Sequence, residues 1–161
     1  MSDLFGAAST FQPKRIVSGG QTGVDRAALD TAMELDIEHG GWCPAGRLAE
    51  DGIIPVRYKL AETKSSEYPV RTEQNIVDSS ATLILHEGKI RGGTLLTRRL
   101  CKKLEKPFFT VKISLNEVAS VRRWLDLQAP ETLNIAGPRE SSSPGIYSRS
   151  LVFLARTFSV D

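Results

Sequence analysis

Apolar positions along the chain follow two rhythms. Dense short runs, at Lys14 to Val17, Ala81 to His86, Phe108 to Ile113 and Leu133 to Ala136, predict buried strands. Between them apolar residues recur at helical spacing: Val24, Ala27, Ala28, Ala32 and Leu35; then Val118, Val121 and Leu125; then Tyr147, Leu151, Leu154 and Phe158. Gly92-Gly93-Thr94 opens a further helix. Leu95, Leu96, Leu100 and Leu104 are expected inward on it, Arg98, Arg99, Lys102 and Lys103 outward, and Pro107 stops it. A short strand is expected over His39 to Cys43, closed by Pro44, and Thr72 is placed to cap a helix over about 73–78. Residues 1–13, small and polar around Phe5 and Phe11, read as a loose arm before a domain spanning 14–161. The stretch Ala45 to Ser66 is too long for an idle connector and reads as a functional loop or lid.

Alternating strands and helices predict a single α/β domain of three αβα layers around a mainly parallel sheet. Right-handed crossovers put every strand-to-helix loop at the carboxyl edge of such a sheet, where ligands bind near a switch in strand order. The loops Ser18–Asp25, Cys43–Arg57, His86–Thr94 and Gly137–Tyr147 hold most of the glycines and prolines and should share one rim.

The first of these loops carries the sharpest chemistry. In Ser18-Gly19-Gly20-Gln21-Thr22-Gly23 a strand ends, glycines turn, and a helix starts within a few residues. The free N–H groups at such a helix start favour an anion, and glycine lets a ligand approach the backbone. Gly92-Gly93-Thr94, with Arg91 beside it, looks like a second cradle. Arg47 offers a planar fork for a phosphate, Arg139 a second anion contact, and Ser141 to Ser143 hydroxyls. Thr22 can cap its helix or donate to an anion. Asp25 is suited to a ligand hydroxyl or ring nitrogen, or to orienting Arg26, whereas Glu50 and Asp51 are as well suited to shaping their loop.

Composition narrows the classes. The chain of 161 residues is 40% hydrophobic and 25% charged, ordinary for one globular domain. A net charge of +2 is too small to argue for nucleic acid or a membrane surface. Cys43 and Cys101 form no disulfide framework, and with His39 and His86 they have no metal-ligand spacing, so no metal site is expected. No nucleophile elbow, Walker loop or Cys/His pairing assigns a catalytic residue. The start lacks a secretory pattern and no segment reaches the roughly 20 apolar residues of a membrane helix, so a cytoplasmic setting is expected.

Val17-Ser18-Gly19-Gly20-Gln21-Thr22-Gly23-Val24-Asp25-Arg26-Ala27-Ala28-Leu29-Asp30 resembles the opening signature of the molybdenum carrier family. Gly41-Trp42-Cys43-Pro44, Ala49-Glu50-Asp51-Gly52, Arg71-Thr72-Glu73, Gly92-Gly93-Thr94 and Ala136-Gly137-Pro138-Arg139-Glu140-Ser141 extend the likeness over most of the chain. The resemblance implies a Rossmann-like fold, shared with lysine-decarboxylase-like proteins that handle nucleotides. It also implies a homo-oligomeric carrier that binds the molybdenum cofactor and protects it until transfer to molybdoenzyme apo-proteins. On this reading Ser18, Gly19, Gly20, Thr22, Gly23, Gly92, Gly93, Thr94, Gly137 and Ser141 surround the oxo and phosphate anions. Arg47, Arg91 or Arg139 supplies charge, and Gln21, Asp25 and Glu73 meet the pterin edge. Two positions depart from the family pattern: Ser80 stands where an acidic residue is expected, and Ala45 where a lysine is expected before Gly46.

The rival expectation is an enzyme of the same superfamily that cleaves nucleoside monophosphates at the glycosidic bond. Its relatives carry Pro-Gly-Gly-x-Gly-Thr-x-x-Glu; here Thr97 or Arg99 takes the glutamate's place, depending on alignment. General acid–base work needs a titratable group in reach, so this loss favours binding over turnover, with Glu50, Asp51 or Glu73 as the remaining substitutes. A nucleotide-sensing module is the third reading.

Overall fold

The computed structural model describes residues 11–159. Five parallel strands form the sheet, in the order β2 (Glu38–Gly40), β1 (Arg15–Val17), β9 (Thr132–Ala136), β7 (Ala81–His86) and β8 (Phe108–Lys112). Helices α1 (Val24–Glu34), α4 (Val118–Gln128) and α5 (Ile146–Phe158) pack together, and α2 (Tyr68–Val77) packs on α3 (Gly92–Lys103). Right-handedness accounts for the division. Crossovers β1–α1–β2 and β8–α4–β9 step one way along the sheet, β7–α3–β8 the other, so their helices fall on opposite faces. The domain is the three-layer Rossmann-like α/β fold expected.

The last strand is the central one. β9 enters between β1 and β7, with Arg15 to Val17 in register with Thr132 to Asn134 and Ala81 to Ile84 with Leu133 to Ala136. Strands buried on both faces need continuous apolar runs, as Leu83, Ile84, Leu85, Leu133 and Ile135 provide, each fully buried. Phe153, Leu154 and Phe158 of α5 and Ala27, Ala28 and Ala32 of α1 join Leu83, Leu85, Leu133 and Ile135 in the main core. Phe109 stacks on Trp124 at its margin.

Several elements differ from expectation. The strand expected over His39 to Cys43 is two, β2 and β3 (Trp42–Cys43), broken at Gly41, where φ is 124°. The stretch 45–66, expected as a loop or lid, carries short strands. It holds the hairpin β4 (Leu48–Ala49) with β5 (Gly52–Ile53), and β6 (Ala61–Glu62), which pairs in parallel with β3. Ile54, Tyr58 and Cys43 close a second small core on Leu29 of α1, so the stretch is anchored rather than a free lid. Helix α2 starts at Tyr68, with a proline in its first turn, and Thr72 bonds the Tyr68 carbonyl instead of capping. On α3 the buried face is Thr94, Thr97 and Cys101, and the four leucines are half-buried. Of the expected N-terminal arm, residues 1–10 lie outside the described residues. Phe11 packs against the main core and Gln12 donates to the Phe158 carbonyl at 2.8 Å.

Candidate functional site

Strand β1 delivers the chain into the first glycine turn, and that turn is filled by the protein itself. A Cβ on Gly19 would overlap the guanidinium of Arg71, and one on Gly20 would lie 2.6 Å from Leu60 and 2.9 Å from Ile54. At Gly23, φ is 79° and a Cβ would run into the Pro138 carbonyl. The helix start is closed too. Val24 N–H donates to Pro138 O at 3.2 Å, and Gln21 N–H donates to Asp25 Oδ2 at 3.2 Å. Ser18, fully buried, donates through Oγ to the Asp25 carbonyl.

Asp25 makes its ion pair with Arg71 of α2, at 3.2 Å, while Arg26 turns away to Gly20 O and, through both terminal nitrogens, to Asp51. Burial pushes the Asp25 carboxyl up, against the opposing pull of Arg71 and of the Gln21 N–H. The forked bond from Arg26 holds Asp51 below the usual carboxylate range.

The second glycine turn is open. Gly92 and Gly93 are exposed, and a Cβ on either would meet nothing within 4 Å. Arg91, the N-cap of α3, gives no side-chain cap, so this helix start presents N–H groups to solvent. Thr97 bonds back to the Gly93 carbonyl at 2.9 Å, which steadies the turn from behind.

The third loop, after β9, is strapped by three glutamates. Glu140 accepts from the N–H groups of Gly145 and Tyr147, capping α5. Glu87 takes Arg149 and the Ser143 hydroxyl, and Arg149 holds its pKa below the usual value. Glu50 reaches across from the β4–β5 hairpin to accept from Thr22 Oγ1 and from both Ser141 N–H and Oγ, with Arg139 3.9 Å away. Burial works against the charge on Glu50, but the Ser141 and Thr22 hydrogen bonds outweigh it and lower its pKa.

These loops share one cleft of about 640 Å³, lined by Gly19, Gln21 and Asp25, by Gly92, Gly93 and Thr94, and by Gly137 and Arg139. Three of the four loops expected on one rim are therefore gathered here, whereas no residue of Cys43–Arg57 lines the cleft. Ser18, Gly20, Thr22, Gly23 and Ser141 stand behind that lining and shape it. Two expected contacts point elsewhere. Arg47 donates to the carbonyls of Ile54, Pro55, Tyr58 and Leu60, knotting its own loop, so its fork is occupied. Glu73 is exposed on α2 and does not line the cleft.

Arg71 and Tyr68 were not singled out by the sequence reading, yet both line the cleft, with Thr72 and Asn75. A signal existed: Tyr68, Arg71, Thr72 and Asn75 form an i, i+3, i+4, i+7 polar stripe where a packed helix would carry aliphatic residues. His86 lines the cleft beside Gly88, whose carbonyl lies 2.9 Å from Nδ1. Among the described residues no helix is long and apolar enough to cross a membrane, and no three His, Cys, Asp or Glu gather as a metal site.

Comparison with known proteins agrees with this fold. The family model described as "Circularly permutated YpsA SLOG family" matches residues 16–158. A crystal structure of a "Putative molybdenum carrier protein" from Syntrophus aciditrophicus SB is 40% identical, with a TM-score of 0.88, over 91% of this chain and 95% of that one. No curated protein matches significantly.

Proposed function

The chain belongs to the circularly permuted YpsA SLOG family, and on that premise we propose that its cleft binds, shelters and hands on the molybdenum cofactor. The name of the structural neighbour, a molybdenum carrier, supports molybdenum as part of the cargo. The observation that carries the binding mode is the open start of α3, where glycines leave N–H groups free beside Arg91 and within the same cleft as Arg139. An anionic end of the ligand docks there. Gln21 and the Asp25–Arg71 pair line the same cleft and supply acceptors and donors for a polar ring edge. The cargo brings molybdenum on its own dithiolene, and the protein contributes orientation, charge and shelter from water. The cleft's volume lies within the roughly 300–1,000 Å³ usual for small-molecule sites. Molybdoenzyme apo-proteins would receive the cargo, and the family resemblance adds a homo-oligomer.

The test is direct. The purified protein, oxidised, should release pterin fluorescence together with stoichiometric molybdenum. Protein that carries neither, and takes up neither from a cofactor-replete extract, overturns the proposal.

One observation keeps the glycosidic-bond reading alive as the second. A carboxylate absent from the second glycine turn is present elsewhere in the same cleft as Asp25, buried and paired with Arg71. Free base released from nucleoside monophosphates, and abolished in Asp25→Asn, would favour turnover over carriage.

A further inference from the structure

Tyr68 begins α2 and places its phenol ring in a cleft lining that is otherwise polar or aliphatic, His86 apart. Two guanidinium groups face that ring: Arg71 at 5.2 Å and Arg139 at 5.8 Å from its centroid. The two arginines are held very differently. Arg71 is buried, paired with Asp25, and seated where Gly19 has no side chain. Arg139 is 43% exposed, and its ion pair with Glu50 spans 3.9 Å. Glu50 keeps three other hydrogen bonds, from Thr22 and Ser141, so moving Arg139 leaves no buried charge unpaired.

We propose that Tyr68 is the stacking platform for the ring of a ligand whose anionic end docks at the start of α3. The heterocycle takes the place of Arg139 against the ring, and Arg139 swings to the anion. Arg71 stays in place beside the ring, held by Asp25. The cationic plane now over Tyr68 already marks the position where a flat, polarisable group is favoured. This rests on the proposed cofactor-binding function and adds the residue whose face receives the ring.

Three probes separate the two ideas. GMP and neopterin monophosphate carry the same aminopyrimidinone edge on a phosphate, whereas ribose 5-phosphate carries the anion without a ring. By calorimetry the wild type should bind the ring-bearing probes about tenfold more tightly than ribose 5-phosphate, in line with the stabilisation usual for base–aromatic stacking. Tyr68→Leu should erase that advantage and leave ribose 5-phosphate unchanged, while Tyr68→Phe retains it. Arg139→Ala should weaken all three probes alike and preserve the ring advantage, a reading that does not depend on how Tyr68→Leu folds. Equal loss on all probes in Tyr68→Leu, no loss on any, or a ring advantage lost in Tyr68→Phe would overturn the platform. Failure of all three probes to bind wild-type protein would remove the anion-binding reading and the platform with it.

Discussion

The two glycine turns look alike in sequence and do opposite work. At the start of α1, the missing side chains of Gly19, Gly20 and Gly23 make room for Arg71, for Ile54 and Leu60, and for the Pro138 carbonyl. At the start of α3, Gly92 and Gly93 face open space. The first turn is a junction where three segments of the chain meet; the second is a vacant helix terminus. A glycine turn is thus a permission for close approach, and the approaching group can be the protein's own backbone or a ligand. The first turn serves the site indirectly, by seating the Asp25–Arg71 pair in the cleft.

The comparison can be broken most severely at Gly23. Gly23→Ala places a Cβ against Pro138 O at a φ of 79° and should cost at least about 3 kcal/mol. At this chain length that lowers the melting temperature by roughly 10 °C, measurable by circular dichroism. Gly93→Val should do the reverse. Its melting temperature should stay within about 2 °C, while affinity for a phosphate-bearing ligand falls about tenfold or more through a blocked helix start. Comparable melting losses in both variants would erase the distinction drawn here.

Arg47→Ala sharpens a related point, because its guanidinium bonds four carbonyls and touches no cleft residue. The expected loss is about 2 kcal/mol of stability, with ligand affinity unchanged. A large affinity loss at unchanged stability would restore Arg47 as an anion clamp.

The smallest effect concerns Glu50 and pH. Its folded pKa is depressed, so the stability it adds is complete above its ordinary value of 4.5 and is lost as pH falls through the lowered folded value. Glu50→Gln should therefore melt lower than wild type at pH 7, and the gap should close as pH drops below 4.5. A gap that persists unchanged through this range would show that geometry, not charge, is what Glu50 contributes.

Much of this was legible in the chain. The runs at Ala81 to His86 and Leu133 to Ala136 read as strands and the apolar spacing after Val24 as a helix, and all three form. The stretch 45–66 was misread because its strands are two residues each and its order comes from Arg47 and the small core around Ile54 and Tyr58, neither of which leaves a periodic trace. Arg71 was missed in favour of its neighbour Glu73 because charge alone does not say which side of a helix faces a cleft.

The sequence by itself determined the alternation of strands and helices, the places where glycine allows the backbone to bend, and the resemblance that the family match upholds. Only the tertiary structure decided which bend stays open. Inserting β9 between β1 and β7 carries Pro138 onto the start of α1, while among the described residues nothing comparable covers the start of α3. That outcome depends on contacts more than a hundred residues apart, and local residue types encode the freedom of a turn but not what comes to fill it.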